Sequence, residues 1–248
     1  MPERDDESVG AGAAGRMSLL EHLEELRRRL IICLATVLVA SAASFSFADR
    51  ILGWLKRPAG ELLPRLAFFS PAEGLVAYVK MALAAGAIVS MPVILAQLWR
   101  FARPAMTARE RAYGLAFVLW GSALFLAGAA AAYFGCLPLF LRFLLSVGSP
   151  HIEPVISVSR YLSFVLGVIL FGGAVFEMPL VVFVLTRVGI LTPGSLRRRR
   201  AVALLGLVIV AAFITPTTDA LSLTLITVPL ALLYEVSILV SSWASPSS

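Results

Sequence analysis

The chain has 248 residues, 59% hydrophobic and 15% charged, with a formal net charge of +6 and a mean hydropathy of +0.90. A soluble domain averages ~45–50% apolar and ~25% charged residues, so these values exclude an ordinary soluble enzyme and place the chain in a membrane. The arginines fall beside apolar runs rather than in a separate basic tract, which excludes a nucleic-acid footprint and marks them as topology anchors.

Residues 1–17 are acidic and rich in Gly and Ala, without the apolar core of a cleavable signal. They are expected to be a disordered extension of a membrane domain spanning 18–240, with 241–248 a short tail. Met17–Leu30, MSLLEHLEELRRRL, reads as a short helix set against the first apolar run. Its arginines fix topology, but Glu21, Glu24 and Glu25 contribute nothing to that rule. These acids need structural partners or a cationic ligand. Structural partners are at hand: Ser18-x-x-Glu21 is a capping box, and Glu24/Arg28 and Glu25/Arg29 are i,i+4 pairs, each contributing only a few tenths of a kcal/mol.

Six apolar runs follow, at about Leu30–Phe47, Leu75–Leu98, Tyr113–Phe134, Tyr161–Thr186, Ala201–Thr215 and Leu221–Val240. They predict an all-α integral membrane protein with six transmembrane helices. Arg27, Arg28 and Arg29, then Arg100–Arg111, then Arg187 and Arg197–Arg200 lie on alternate flanks, which puts the N-terminus in the cytoplasm and returns the C-terminus there. The fifth run covers ~22 Å against a core of ~30 Å. It either thins the bilayer or is accommodated by packing.

The first outer loop, about Ala48 to Gly74, contains a surface-lying helix at Asp49–Lys56 with Trp54 at the interface, ended by Pro58, Pro64 and Pro71. The second, about Leu141 to Ser159, opens with an apolar stretch, and the third is the short Pro216–Asp219 turn. None is large enough for a catalytic or nucleotide-binding domain. Pro92, Pro138, Pro179 and Pro229 should bend their helices, and Gly172-Gly173 should loosen the fourth. Cys33 and Cys136 fall on opposite sides of the membrane, so no disulfide is expected between them.

Glu177 is a carboxylate inside the fourth run, where it must face protein, a cavity or water. A buried hydrogen bond to a neighbouring helix and a functional role are both open. Asp219 suits a helix cap before the sixth run, and Glu235 can reach the interface. His22 and His151 lie on opposite sides and cannot share a metal, and no metal or cofactor is expected. HExxH, GxSxG and Walker A patterns are absent and no nucleophile–base pair is evident, so the chain is not expected to be an enzyme. Thr107-x-x-Glu110 is a capping box opening the third helix.

Taken in order, these pieces resemble the TatC family, the multispanning subunit of the twin-arginine protein translocase. They are His22-Leu-Glu-Glu25-Leu-Arg27-Arg-Arg-Leu30, Pro92-Val-Ile-Leu-Ala-Gln-Leu-Trp99-Arg-Phe101 through Pro104, Glu110-Arg111, Ala132-Tyr133-Phe134 and Tyr161-Leu-Ser-Phe164. Phe176-Glu177-Met-Pro179, Thr192-Pro, Leu196-Arg-Arg-Arg-Arg200 and Thr215-Pro…Asp219 complete them. The resemblance runs from about Ser18 to Val240. It implies six helices in a curved, concave arrangement with both termini cytoplasmic, in a bacterial cytoplasmic (inner) membrane. It also implies a receptor for the twin-arginine signal peptides of folded cargo, working with TatA- and TatB-type single-span subunits and driven by the protonmotive force, without nucleotide. Membrane lipid, no nucleic acid, and a homo-oligomer within a larger complex are the remaining partner expectations.

By the same resemblance, Glu25 and Glu110 receive the arginine pair, with Arg27, Phe101 and Arg111 at the same surface. Pro58 and Tyr133 match family positions of importance, Glu177 the intramembrane glutamate of the concave side, and Asp219 the outer-turn aspartate. The residues support the assignment chemically, because arginine offers a planar fork that carboxylates bind bidentately. One departure stands at Leu223, where many members carry glutamine. A competing expectation is a proton- or cation-coupled small-solute transporter with Glu177 in its pathway.

Overall fold

The structure is a computed structural model that describes residues 19–62, 66–107, 111–146, 155–214 and 220–244. Helix α1 (Leu19–Phe45) is one 27-residue rod, about 40 Å long at 1.5 Å per residue. Because no Gly or Pro interrupts Leu19–Leu38, the acidic N-terminal segment and the first apolar run are a single helix rather than a helix set against a span. The surface helix appears as α2 (Ala48–Lys56), and Pro58 lies in the 3-10 turn Arg57–Leu62 that follows it.

The second run is broken. Helix α3 (Glu73–Val89) and helix α4 (Met91–Ala102) meet at a 54° bend. The fourth run is divided more gently, into α7 (Val158–Phe176) and α8 (Met178–Arg187), which together still make one 30-residue span. In both cases a Met-Pro pair opens the second helix, with Pro at the N-terminal turn, where its missing N–H costs little. The residue before each pair, Ser90 or Glu177, is the buried pivot.

The third run does not end at Phe134. Helix α5 (Gly114–Ala131) continues through a π-helical turn at Ala132–Cys136 into α6 (Leu137–Ser146). The π turn admits Pro138 without stopping the helix, so the apolar opening of the expected second outer loop belongs to the span. The chain closes with the short α9 (Pro193–Arg198), then α10 (Arg200–Ile214) and α11 (Ala220–Ala244), which carries Pro229 inside it.

Among the described residues, four helices are long and apolar enough to cross a membrane: Leu20–Phe45, Gly114–Leu145, Val158–Arg187 and Ile226–Ala244. The bent α3–α4 pair makes five, and α10 is a shorter apolar helix. Large apolar side chains such as Trp120, Leu115 and Val202 face outward, as expected of a surface bathed in lipid rather than water. The chain is an all-helical, multi-pass membrane protein.

Packing depends on small residues. A Cβ at Gly86 would lie 2.6 Å from the Ser41 nitrogen, so α3 can approach α1 only as glycine allows. A Cβ at Gly128 would lie 2.4 Å from the Gly172 oxygen. Gly172-Gly173 therefore does not loosen its helix. Helix α7 runs unbroken through the pair and uses it to sit against α5, as small residues do where dispersion must hold helices together in lipid.

The loops at the α2 end are clasped together. Strand β1 (Leu66–Ala67) pairs in parallel with β2 (Ile156–Ser157), Leu66 opposite Ile156. Glu73 gathers the Phe69 N–H (2.7 Å), the Ser159 N–H (3.1 Å) and the Ser157 hydroxyl. Lys80 donates to the hydroxyls of Ser159 (2.7 Å) and Ser163 (2.8 Å). Tyr133 donates to the Trp54 carbonyl and Tyr161 to the Leu55 carbonyl, both at 2.7 Å, so two tyrosines from different helices hold the last turn of α2. Tyr161 and Leu55 are buried. Tyr161→Phe should thus cost about 1–3 kcal/mol, the penalty for stranding a buried carbonyl, while Tyr133→Phe, half-buried, costs less. Thermal unfolding of the two variants in detergent checks the order, and equal losses would remove the distinction.

Candidate functional site

His22, Glu25 and Arg29 lie at i, i+3 and i+7 on one face of α1, and Gln97 and Phe101 at i and i+4 on one face of α4. Where the two helices meet, these faces come together. The His22 ring stacks on Phe101 with centroids 4.4 Å apart and planes 22° from parallel. Arg29 spans the crossing: its Nε donates to Glu25 Oε1 at 3.1 Å, its Nη2 donates to the same oxygen, and its Nη1 donates to Gln97 Oε1 at 3.1 Å. Glu25 Oε2 is buried without a hydrogen-bond partner among the described residues.

The local pair expected for Glu25 is thus formed, and a third residue fixes it. Among the described residues no ion pair joins Glu24 to Arg28. Arg27 and Arg28 are both exposed, Arg27 on the opposite side of α1 and Arg28 on its flank. Beside the Glu25 cluster opens a 360 Å³ apolar groove walled by His22, Trp99, Phe101, Phe117, Val184 and Ile190. Arg111 is exposed, with its Nε on the Met106 carbonyl at 3.2 Å and its N–H on the Thr107 carbonyl at 3.1 Å. Glu110 lies outside the described residues, as do Ser18, His151 and Asp219.

Glu177 stands apart from this cluster, at the α7–α8 break and only 6% exposed. It packs on α5, where a Cβ at Gly121 would lie 3.2 Å from its Oε2. Neither carboxylate oxygen has a hydrogen-bond partner among the described residues. Of the two readings left open by the sequence, the buried hydrogen bond to a neighbouring helix is not formed. Pro58 and Tyr133 come together at the other end of the molecule, on the wall of one apolar slot. Glu235 meets Arg200 in an ion pair between α11 and α10 rather than reaching out alone. Cys33 and Cys136 are both free thiols.

Sequence reasoning missed Gln97, Glu73 and Lys80. Two of them had a signal: Gln97 is a lone amide and Lys80 a lone cation in apolar runs, where an unpaired polar group is costly. Their partners, Arg29 and the Ser159/Ser163 pair, lie 68 or more positions away. No local pattern joins them.

Residues 21–229 match the family model described as Sec-independent protein translocase protein (TatC). The chain is 40% identical over 233 residues to the Sec-independent protein translocase protein TatC of Aquifex aeolicus (strain VF5), covering 92% of this chain and 96% of that one. It is likewise 40% identical over 225 residues to TatCd of Bacillus subtilis (strain 168), covering 91% of each. Among solved structures it is similar to a crystal structure of the twin-arginine translocase receptor TatC, with a TM-score of 0.81 at 39% identity, over 90% of this chain and 99% of that one. A helical membrane chain matched along nearly its whole length in both sequence and fold therefore belongs to the TatC family of Sec-independent protein translocase proteins.

Proposed function

We propose that the chain is the signal-receiving core subunit of a twin-arginine translocase, moving folded proteins across the bacterial cytoplasmic membrane under the protonmotive force. The full arrangement is six crossings around a concave face: α1, the bent α3–α4 pair, α5–α6, α7–α8, the short α10, and α11. Both termini are cytoplasmic. Residues 18–240 form the membrane domain, preceded by an extension at 1–17 and followed by a tail at 241–248. TatA- and TatB-type single-span subunits and further copies of this chain complete the working assembly. Glu25 and Glu110 take the two signal arginines, Phe101 and the adjacent groove take apolar residues beside them, Arg111 borders the site, and Arg27 adds positive charge from the opposite side of α1. Glu177, Asp219, Pro58 and Tyr133 act away from the signal, in the membrane and at the opposite face.

One observation carries this reading: the Glu25 carboxylate already holds a guanidinium, that of Arg29, with Gln97 fixing its far side. A site that grips one arginine has the donor–acceptor geometry for another. In this resting arrangement Oε1 is taken and Oε2 is turned into the protein, so an incoming arginine must draw Glu25 away from Arg29.

The test uses the whole chain in lipid nanodiscs and a labelled signal peptide carrying either two arginines or two lysines. Lysine presents a hydrated point charge rather than a fork, so the lysine peptide should bind more weakly. Glu25→Gln and Glu110→Gln should each weaken the arginine peptide. Gln still serves a capping box, so Glu110→Gln should insert and fold normally. Unchanged binding in both variants refutes the receptor role.

A further inference from the structure

At the α2 end of the molecule, a slot of about 720 Å³ opens between α2, α3, α5 and α7. Ala84 and Ala85 from α3 and Ala129 and Ala130 from α5 line it, so its width comes from side chains too small to fill it. Arg57 is the one charged residue on its wall. It is exposed and joins no ion pair among the described residues. The Tyr133 hydroxyl on the same wall is already spent on the Trp54 carbonyl.

We propose that this slot is a binding site for one acyl chain of an anionic phospholipid, with Arg57 pairing to its phosphate. Length decides the occupant. On α3 the wall runs from Met81 to Val89, and along α5, the π turn and the start of α6 from Leu126 to Pro138, or ~12 Å and ~18 Å at 1.5 Å per residue. A single leaflet contributes about half of a ~30 Å hydrocarbon core, so the slot matches one lipid tail lying along the helices. A spanning helix of a partner needs the whole ~30 Å and a width of ~10 Å. Charge complementarity sets the head: Arg57 sits where α2 places its interfacial Trp54, at headgroup level. Pro58, on the wall beside Arg57, fixes the turn that holds this cation at the mouth. The lipid fills the space between helices that small residues leave open and ties the α2 clasp to the spans. This site lies away from the Glu25 cluster and does not depend on the receptor reading.

Native mass spectrometry of the full chain, delipidated in detergent and supplied with equal phosphatidylglycerol and phosphatidylcholine of the same acyl chains, tests it. The wild type should retain one lipid, favouring phosphatidylglycerol by about fivefold, the weight of one arginine beside an anionic headgroup. Ala130→Phe, at an exposed position, should fill the slot and remove retention of both lipids. Arg57→Gln should keep a lipid but lose the preference. Equal retention in wild type and Ala130→Phe overturns the proposal, as does a preference that survives Arg57→Gln. Retention of the signal peptide in place of lipid, with Ala130→Phe removing the peptide alone, overturns it too.

Discussion

Glu177→Leu should make the isolated chain more stable in detergent while lowering transport by the assembled translocase. Glu177 is 6% exposed, at a helix break, with no partner for either oxygen among the described residues. A buried polar group left unsatisfied costs about 1–3 kcal/mol, and an apolar replacement of similar shape recovers it. Leucine is close to glutamate in size, and Gly121, against which Glu177 packs, presents no side chain to it. The expected gain is therefore on the order of 1–3 kcal/mol in thermal unfolding. A purely structural residue behaves in the opposite way and loses stability when its polar atoms are removed. Transport of a folded cargo into inverted membrane vesicles supplies the second readout. Stability gained with transport lost identifies Glu177 as a group retained for work in the membrane. Stability lost on Glu177→Leu, or gained with transport intact, removes that assignment.

The second large effect is a pair of opposite signs at the α1–α4 crossing. Glu25→Gln should weaken twin-arginine peptide binding at least about tenfold, because truncating one side of a partly buried charge pair costs 2 kcal/mol or more. Arg29→Gln should tighten it by roughly fivefold. In the resting chain Arg29 occupies Glu25, and the competent fraction of the receptor is reduced accordingly. The internal pair is 22% and 18% exposed on its two sides, so it is stronger than a surface ion pair, yet worth only about 1 kcal/mol net once solvent screening is allowed for. Arg29→Gln leaves the His22–Phe101 stack untouched, which keeps α1 and α4 together. Fluorescence anisotropy on the nanodisc-embedded chain measures both variants. Weaker binding in Arg29→Gln with normal folding would make Arg29 a support of the site instead of its resting occupant.

Much of the site was legible in the sequence because its signals are local. Acids beside a membrane span, outside the positive-inside pattern, marked Glu25. The i,i+4 spacing to Arg29 marked its partner. The apolar–charged alternation of Asp49–Lys56 marked α2. The two Met-Pro pairs marked the breaks, but not that each places a buried polar residue at its pivot. Gly172-Gly173 was misread because its effect lies on a neighbouring helix: the Gly128 backbone on α5 occupies the space a side chain would need. The continuation of the third span past Phe134 was missed because a π turn has no sequence periodicity of its own.

The sequence by itself determined that the chain is a helical, multi-pass membrane protein, and which acids stand out beside its apolar runs. These follow from hydropathy and charge order, and both are read along the chain. Only the tertiary structure decided what each polar group meets. Arg29 reaches Gln97, Lys80 reaches Ser159 and Ser163, Glu73 ties two loops together, and Glu177 finds no hydrogen-bond partner among the described residues. The physical reason is that lipid offers no hydrogen bonds. A buried or half-buried hydroxyl can turn back to a carbonyl of its own helix, as Ser41, Ser122 and Ser237 do. A longer polar side chain such as Lys80 or Glu177 must find its partner on another segment or remain without one, and packing between segments far apart in sequence makes that choice.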